Sequence, residues 1–212
     1  MPELIAPPAK RTFPVYGIWL YKETSPAIKR IKKETSPSAH GDRQWDSSFL
    51  LMDYFTHHPL KKKSRVLDVG CGWGPTSIFL ANAGHNVTGL DIDEQVFKFL
   101  HVQADLNGVA VKTRQGAMDS LKRRDLDQFD VIVGGDICFW PKLTEEWFAL
   151  LKRAAAAGVK KLVLADPGRK PFLNLVDKCF ERWQCEMLTW YCLEPKRFTG
   201  SLLIVELDTK AG

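Results

Sequence analysis

Arg65-Val-Leu-Asp-Val-Gly-Cys-Gly-Trp-Gly-Pro-Thr-Ser77 sets three alternating glycines directly after a short apolar run and directly before a helix-compatible stretch. The apolar run reads as a buried strand and Pro75 sits where the first turn of a helix tolerates it. Glycines at such a bend let the backbone turn tightly and let another group approach it closely. The dinucleotide fingerprint G-x-G-x-x-G, counted from Gly70, would need a glycine at position 75, where the chain has Pro75. The pattern is instead G-x-G-x-G, with the carboxylate of Asp68 two residues ahead of it. A carboxylate there repels phosphate and attracts an ammonium group. No G-K-[ST] follows, so a P-loop is excluded.

Outward from this bend, strand and helix patterns alternate. Pro75 to Ala83 reads as a helix stopped by Gly84, and Asn86 to Leu90 as a second strand. Glu94 to Leu106 is an amphipathic helix with Val96, Phe97, Leu100 and Ala104 on one stripe, and Asn107-Gly108 ends it. Val109 to Thr113, Phe129 to Val133 and Lys161 to Ala165 are further strands, with a helix over Leu143 to Ala157. Met187 to Leu193 and Ser201 to Leu207 follow one another as strands with no helix between, which predicts an antiparallel pair at a sheet edge. Repeated strand–helix–strand units require a parallel sheet covered on both faces, so the fold class is α/β and doubly wound. Ligands of such sheets sit beyond the carboxyl ends of the strands. That rule gathers Gly70 to Gly74, Asp91, Ala117-Met118, Asp136 and Asp166-Pro-Gly-Arg169 on one rim.

The first 43 residues differ from the remainder. They are rich in Pro, Lys, Ser and Thr, with an echo of Glu23-Thr-Ser-Pro26 in Glu34-Thr-Ser-Pro37. They are expected to form a mostly irregular arm with two Ser-Pro turns. A helix over Trp45 to Phe55 opens the domain proper, residues 44–212, and His57-His58-Pro59 ends it.

The 212 residues are 45% hydrophobic, enough for one domain with a true core. The net charge of +5 is mild. The five cysteines form neither a C-x-x-C pair nor a zinc spacing, which reads as reduced thiols. No third metal ligand is spaced near His57 and His58, so no metal is expected. The proline-broken start has no signal-peptide pattern, and no apolar run is long enough to span a bilayer. A cytoplasmic protein without membrane contact is the expectation, with nucleic acid supported only by the charge and by Lys61-Lys-Lys63.

Asp91 closes the second strand twenty-one residues after Gly70. A carboxylate there can accept both hydroxyls of a ribose, in NAD enzymes as elsewhere. Asp68, Pro75 and the G-x-G-x-G bend favour a nucleoside that carries an amino acid and no phosphate. VLDVGCGWGPTSIFLANAGHNVTGLDID resembles the cofactor-binding half of a class I, seven-β-strand methyltransferase, over roughly residues 44 to 207. The resemblance implies a Rossmann-like sheet of order 3-2-1-4-5-7-6 with an antiparallel last strand, and S-adenosyl-L-methionine as cofactor. It implies that Asp68, Gly70, Cys71 and Gly72 line the methionine part, that Asp91 and Ile92 adjoin the ribose, and that Ala117 and Met118 flank the adenine. Ala117 stands where the family often has an acid for the adenine amino group, leaving that contact to Asp119 or to backbone.

Gly134-Gly-Asp-Ile-Cys-Phe-Trp-Pro141 follows the fourth strand. Asp136 stands where DNA and protein-glutamine amino methyltransferases carry [DN]-P-P-[YF], and both prolines are lacking. Asp136-Ile-Cys-Phe139 is instead similar to the Asp-x-x-[Tyr/Phe] of seven-β-strand protein lysine methyltransferases. Trp45-Asp-Ser-Ser and Leu164-Ala-Asp-Pro-Gly-Arg169 resemble the same group, which includes the electron-transfer-flavoprotein β-subunit lysine methyltransferase and bacterial nicotinamide N-methylase-like proteins. The resemblance implies a protein lysine as acceptor, with a small amine as the alternative. Asp136 would orient the amine and also adjoin the cofactor, and Phe139 and Trp140 would offer aromatic faces to it. Trp45 and Arg169 would contact substrate. Phe139, Trp140 and Trp45 are equally readable as core aromatics, and Asp166-Pro-Gly as a plain turn.

Overall fold

The computed structural model describes residues 6–38 and 40–208. A seven-stranded sheet runs β5 (Lys112–Gln115), β4 (Asn86–Asp91), β3 (Arg65–Val69), β6 (Val131–Gly135), β7 (Lys161–Asp166), β9 (Phe198–Glu206), β8 (Gln184–Cys192). Renumbered within the sheet, this is the expected order 3-2-1-4-5-7-6. Neighbours from β5 through to β7 are parallel, while β9 is antiparallel to both β7 and β8.

The parallel strands alternate their side chains between two apolar layers. Val66, Val131, Val133 and Val163 face α2 (Ser47–His57), α3 (Pro75–Asn82) and α4 (Val96–Leu106). Leu67, Val69, Ile132, Leu162 and Leu164 face α6 (Pro141–Ala157) and α7 (Lys170–Phe180). Both faces are therefore covered, which is why these strands read as continuous apolar runs. A short 3-10 turn (Met118–Ser120) and the four-residue α5 (Arg123–Leu126) fill the β5–β6 connection.

Three short elements lie in the segment before residue 44. β1 (Thr12–Val15) and β2 (Ile18–Tyr21) form an antiparallel hairpin, and α1 (Pro26–Glu34) follows. Ser25-Pro26, read as a turn, is a helix start: the Ser25 hydroxyl accepts the Ile28 N–H at 3.2 Å and Pro26 occupies the first turn. Ile28 and Ile31, one turn apart, pack on Trp73 and Phe99, while Lys29 and Arg30 between them stay outside. Trp73 lies flat on Phe99, with ring centroids 4.5 Å apart, and donates its indole N–H to the Gly41 carbonyl at 3.0 Å. The one bulky residue of the glycine bend thus anchors the arm. A second tie joins the hairpin to the far edge: Asp53 accepts from Tyr16 Oη at 2.7 Å and from Trp190 Nε1 at 3.0 Å.

Candidate cofactor and acceptor site

β3 leads into the bend, and Gly70 takes φ +69° so that its N–H and that of Cys71 both reach the Leu90 carbonyl, at 2.8 and 3.1 Å. A Cβ on Gly70 would meet Ile137 Cγ2 at 2.4 Å, so packing as well as conformation forbids a side chain. Gly72 differs. It also has positive φ, but a Cβ there would meet nothing within 4 Å. Gly72 borders a cavity of about 670 Å³, so its bare backbone faces space that a ligand can fill.

The cavity lies at the carboxyl ends of β3, β4, β5 and β6. Asp91 projects into it from the end of β4. One of its oxygens accepts the Gly72 N–H at 3.0 Å and the other the Asp93 N–H at 3.1 Å. Each oxygen keeps a second lone pair for a hydroxyl donor. Burial, opposed by these two N–H groups, leaves the Asp91 carboxyl above the usual range. Ile92 is 69% exposed, a large apolar side chain on the cavity wall opposite Ala117 and Met118. Asp119 is at the rim. A slot with apolar sides, a diol-accepting carboxylate and no cation for phosphate at its floor fits a phosphate-free nucleoside.

Asp68 and Cys71 sit behind the bend rather than on the cavity wall. Asp68 is 3% exposed and accepts the Ser77 hydroxyl at 2.6 Å. Burial, reinforced by the charge of Asp91, pushes its carboxyl up to about 7. The Cys71 thiol packs over the Gly89 backbone, where a Cβ would lie 2.7 Å from its sulfur, and burial raises it well above the ordinary thiol range.

Past Asp136 the cavity opens among aromatic rings. Asp136 holds a left-handed φ of +58° and is 3% exposed. Its carboxylate accepts the Ser47 N–H at 2.9 Å, at the start of α2, and the Arg169 guanidinium at 2.7 Å. Arg169 also binds the buried Asp166 at 2.8 Å, and its guanidinium lies 4.4 Å from the centre of the Phe139 ring. Asp166 in turn accepts the Gly168 and Arg169 N–H groups, so Asp-Pro-Gly-Arg is a turn closed on its own carboxylate. Phe139 stacks on His40, with centroids 4.7 Å apart and planes 8° from parallel. Trp45 meets both rings at their edges, and Trp140 is 54% exposed at the mouth. Arg43 lies over Trp45 at 4.4 Å.

The structure thus gathers Trp45, Gly70, Gly72, Asp91, Ile92, Ala117, Met118, Asp136, Phe139 and Trp140 around one cavity, with Arg169 one residue behind it. Sequence reasoning missed His40, Gly41, Lys142 and Glu146. His40 lies in the segment taken as irregular, and a lone histidine there gives no periodic signal. Lys142 and Glu146, four residues apart on α6 and paired at 3.1 Å, carry the ordinary pattern of a solvated helix face.

Comparison with known proteins agrees with this arrangement. Residues 66–158 match a family model described as a methyltransferase domain. Ubiquinone biosynthesis O-methyltransferase of Bordetella avium is 38% identical over 68 residues, covering 32% of this chain and 28% of the relative. The protein of that name from Bordetella parapertussis is 34% identical over 114 residues, covering 54% and 43%. The chain therefore spans well under half the length of the curated relatives it matches. The solved tRNA (uracil-54, C5)-methyltransferase of Pyrococcus abyssi, in complex with S-adenosyl-L-homocysteine, superposes with a TM-score of 0.55 at 15% identity. That alignment covers 93% of this chain and 44% of the other, a likeness of fold. The relatives carry the name of an O-methyltransferase of ubiquinone biosynthesis, and this overturns the expectation of N-methylation of a protein lysine. The Asp-x-x-Phe likeness misled because Asp136 and Phe139 are bound to Arg169. Residues 66–158 are thus similar to a methyltransferase domain, and the sheet has the fold of a solved methyltransferase.

Proposed function

We propose that the protein transfers a methyl group from S-adenosylmethionine to a hydroxyl oxygen of a small aromatic acceptor. The observation that carries the reading is the pair of guanidinium groups at the aromatic mouth, Arg169 against Phe139 and Arg43 against Trp45, each at 4.4 Å. Cations already hold the ring faces that an ammonium would need, so an amine would meet like charge. A neutral phenol needs no such face. The names of the relatives support the same acceptor class.

When bound, S-adenosylmethionine supplies an activated methyl on sulfur, a good leaving group. Asp91 would hold the ribose hydroxyls, Gly72 would let the methionine part approach the backbone, and Ile92 with Ala117 and Met118 would enclose the adenine. Trp140 offers its open face to the acceptor ring. Asp136 is a positioning residue that fixes Arg169 and the start of α2, and Trp45 closes the wall beside His40. The acceptor hydroxyl must lose its proton before or during attack. Asp136 is tied to Arg169 and Ser47, and Glu146 to Lys142. The His40 ring nitrogens have no hydrogen-bond partner among the described residues, while its backbone carbonyl is fixed by the Trp45 indole at 2.9 Å. His40 takes the proton.

The test is incubation with labelled S-adenosylmethionine, a panel of mono- and dihydroxybenzoates, and a lysine-bearing peptide pool. Label is expected in a hydroxybenzoate. His40→Gln is expected to lower that rate by roughly 10²-fold or more while S-adenosylmethionine affinity stays unchanged. Label in the peptides, with none in the phenols, refutes the reading.

A further inference from the structure

A second cavity, of about 700 Å³, lies at the opposite end of the sheet, where β3, β6 and β7 begin. It is lined by Lys61, Lys62, Lys63, Lys160 and Lys161 and by the ends of α2 at Tyr54 and His58. We propose that this cavity is a binding site for a small, multiply charged phosphate compound, distinct from the methyl-transfer site and independent of its acceptor.

The charge inventory favours an anion. Three carboxylates face the cavity: Asp130, Glu206 and Asp208. Asp130 is committed to Arg65, which grips it with two side-chain N–H groups at 2.8 and 3.1 Å and its backbone N–H at 2.9 Å. That grip, with further help from Lys160, holds the Asp130 carboxyl down at about 2. Glu206 is committed to Lys161 at 2.7 Å. Lys61, Lys62, Lys63 and Lys160 remain exposed, and none of the four has an ion-pair partner within 4 Å among the described residues. Among the described residues, four ammonium groups around a concave surface outnumber the carboxylate left beside them, Asp208, and raise the local concentration of anions.

Backbone geometry points the same way. The Ser64 N–H and hydroxyl both turn back to the Lys61 carbonyl, closing a turn with Lys62 and Lys63 at its corners. Lys63 stands at φ +59°, a left-handed conformation that is unfavourable for a non-glycine residue. Such strain is commonly kept where it aims a side chain. The wall beside the lysines is aromatic: His58 stacks on Tyr54 with centroids 4.7 Å apart, and His58 is exposed. A phosphate chain can lie across the ammonium groups with a planar base on His58.

The test is calorimetric titration of the protein with sodium tripolyphosphate and with ATP, at low and at moderate salt. Both probes are expected to bind, more weakly as salt rises. Lys62→Ala with Lys160→Ala is expected to weaken binding by roughly tenfold or more while S-adenosylmethionine binding is unchanged. Tighter ATP than tripolyphosphate, with the difference lost in His58→Ala, supports a nucleotide. Equal affinities support recognition of the phosphate chain alone. Absence of heat with both probes, heat insensitive to the lysine substitutions, or binding of an oligoribonucleotide alone overturns the proposal.

Discussion

Replacing Asp68 by Asn should make the protein more stable at neutral and alkaline pH, and the gain should grow with pH. Asp68 is 3% exposed beneath the glycine bend, it accepts the Ser77 hydroxyl, and Asp91 adds like charge nearby. Its carboxyl stands at about 7 in the fold against an ordinary value of 3.8. The folded state therefore binds the proton more tightly than the unfolded chain does. Stability falls as pH rises through the window between those two values and levels off above the upper one. A shift of roughly three units corresponds to a plateau penalty of about 4 kcal/mol. Between about pH 5 and pH 8 the wild type should lose about 2.5 kcal/mol from this group alone. Asn keeps an oxygen for Ser77 and has no charge to bury. Urea unfolding of both proteins across that range isolates Asp68 together with its coupling to Asp91, because the raised Asp166 titrates in both and cancels in the difference. Parallel stability curves would show that Asp68 is ionised throughout, and the account of a buried, disfavoured carboxylate would fail.

Two further substitutions test the frame of the site. Gly70→Ala places a Cβ 2.4 Å from Ile137 Cγ2 at φ +69°, and should cost about 2–4 kcal/mol in denaturant unfolding. Adding Ile137→Ala should return the steric part and leave the conformational part, about 1–2 kcal/mol. Arg169→Ala strands the buried Asp136 and Asp166 without their shared cation and should destabilise by roughly 3 kcal/mol. Arg169→Lys should recover less than half of that, because one ammonium cannot bridge two carboxylates in a fork. Full recovery, read from the urea midpoint, would remove the bridging role.

The sheet was legible because its information is local and periodic. Each parallel strand is buried on both faces, so Arg65 to Val69 and Lys161 to Asp166 announce themselves as apolar runs, and Gly84, Asn107-Gly108 and Gly158 end the helices between them. The cofactor half of the cavity was legible for a related reason. Gly70 to Gly72 and Asp91 each close a strand, and the topology places adjacent strand ends together. α7 was missed: its Pro171 and the preceding Asp-Pro-Gly-Arg turn hid a helix whose buried stripe is Phe172, Leu175, Val176 and Cys179. The hairpin and α1 were missed because Ser-Pro reads equally as a turn or as a helix start. What decides between them is the distant pair Trp73 and Phe99, on which Ile28 and Ile31 can dock.

The acceptor half was illegible for a different physical reason. Asp136-Ile-Cys-Phe139 has a chemical meaning only once its partners are known, and those come from three separate segments. Ser47 N–H and Arg169 take up the carboxylate, and His40 and Arg169 engage the ring. An unpartnered Asp beside an unpartnered Phe makes a cradle for an ammonium. Here the carboxylate is taken up by a guanidinium that it shares with Asp166, and the same guanidinium covers the Phe139 ring. Whether the carboxylate and the ring are open to a ligand therefore depends on a residue thirty-odd positions away, and no local pattern carries that information. Exchanging Arg169 together with Asp166 for an uncharged pair should weaken any bound hydroxybenzoate far more than it weakens S-adenosylmethionine. Equal loss of both ligands would mean that Arg169 supports the fold alone, and that the acceptor's charge is set elsewhere in the cavity.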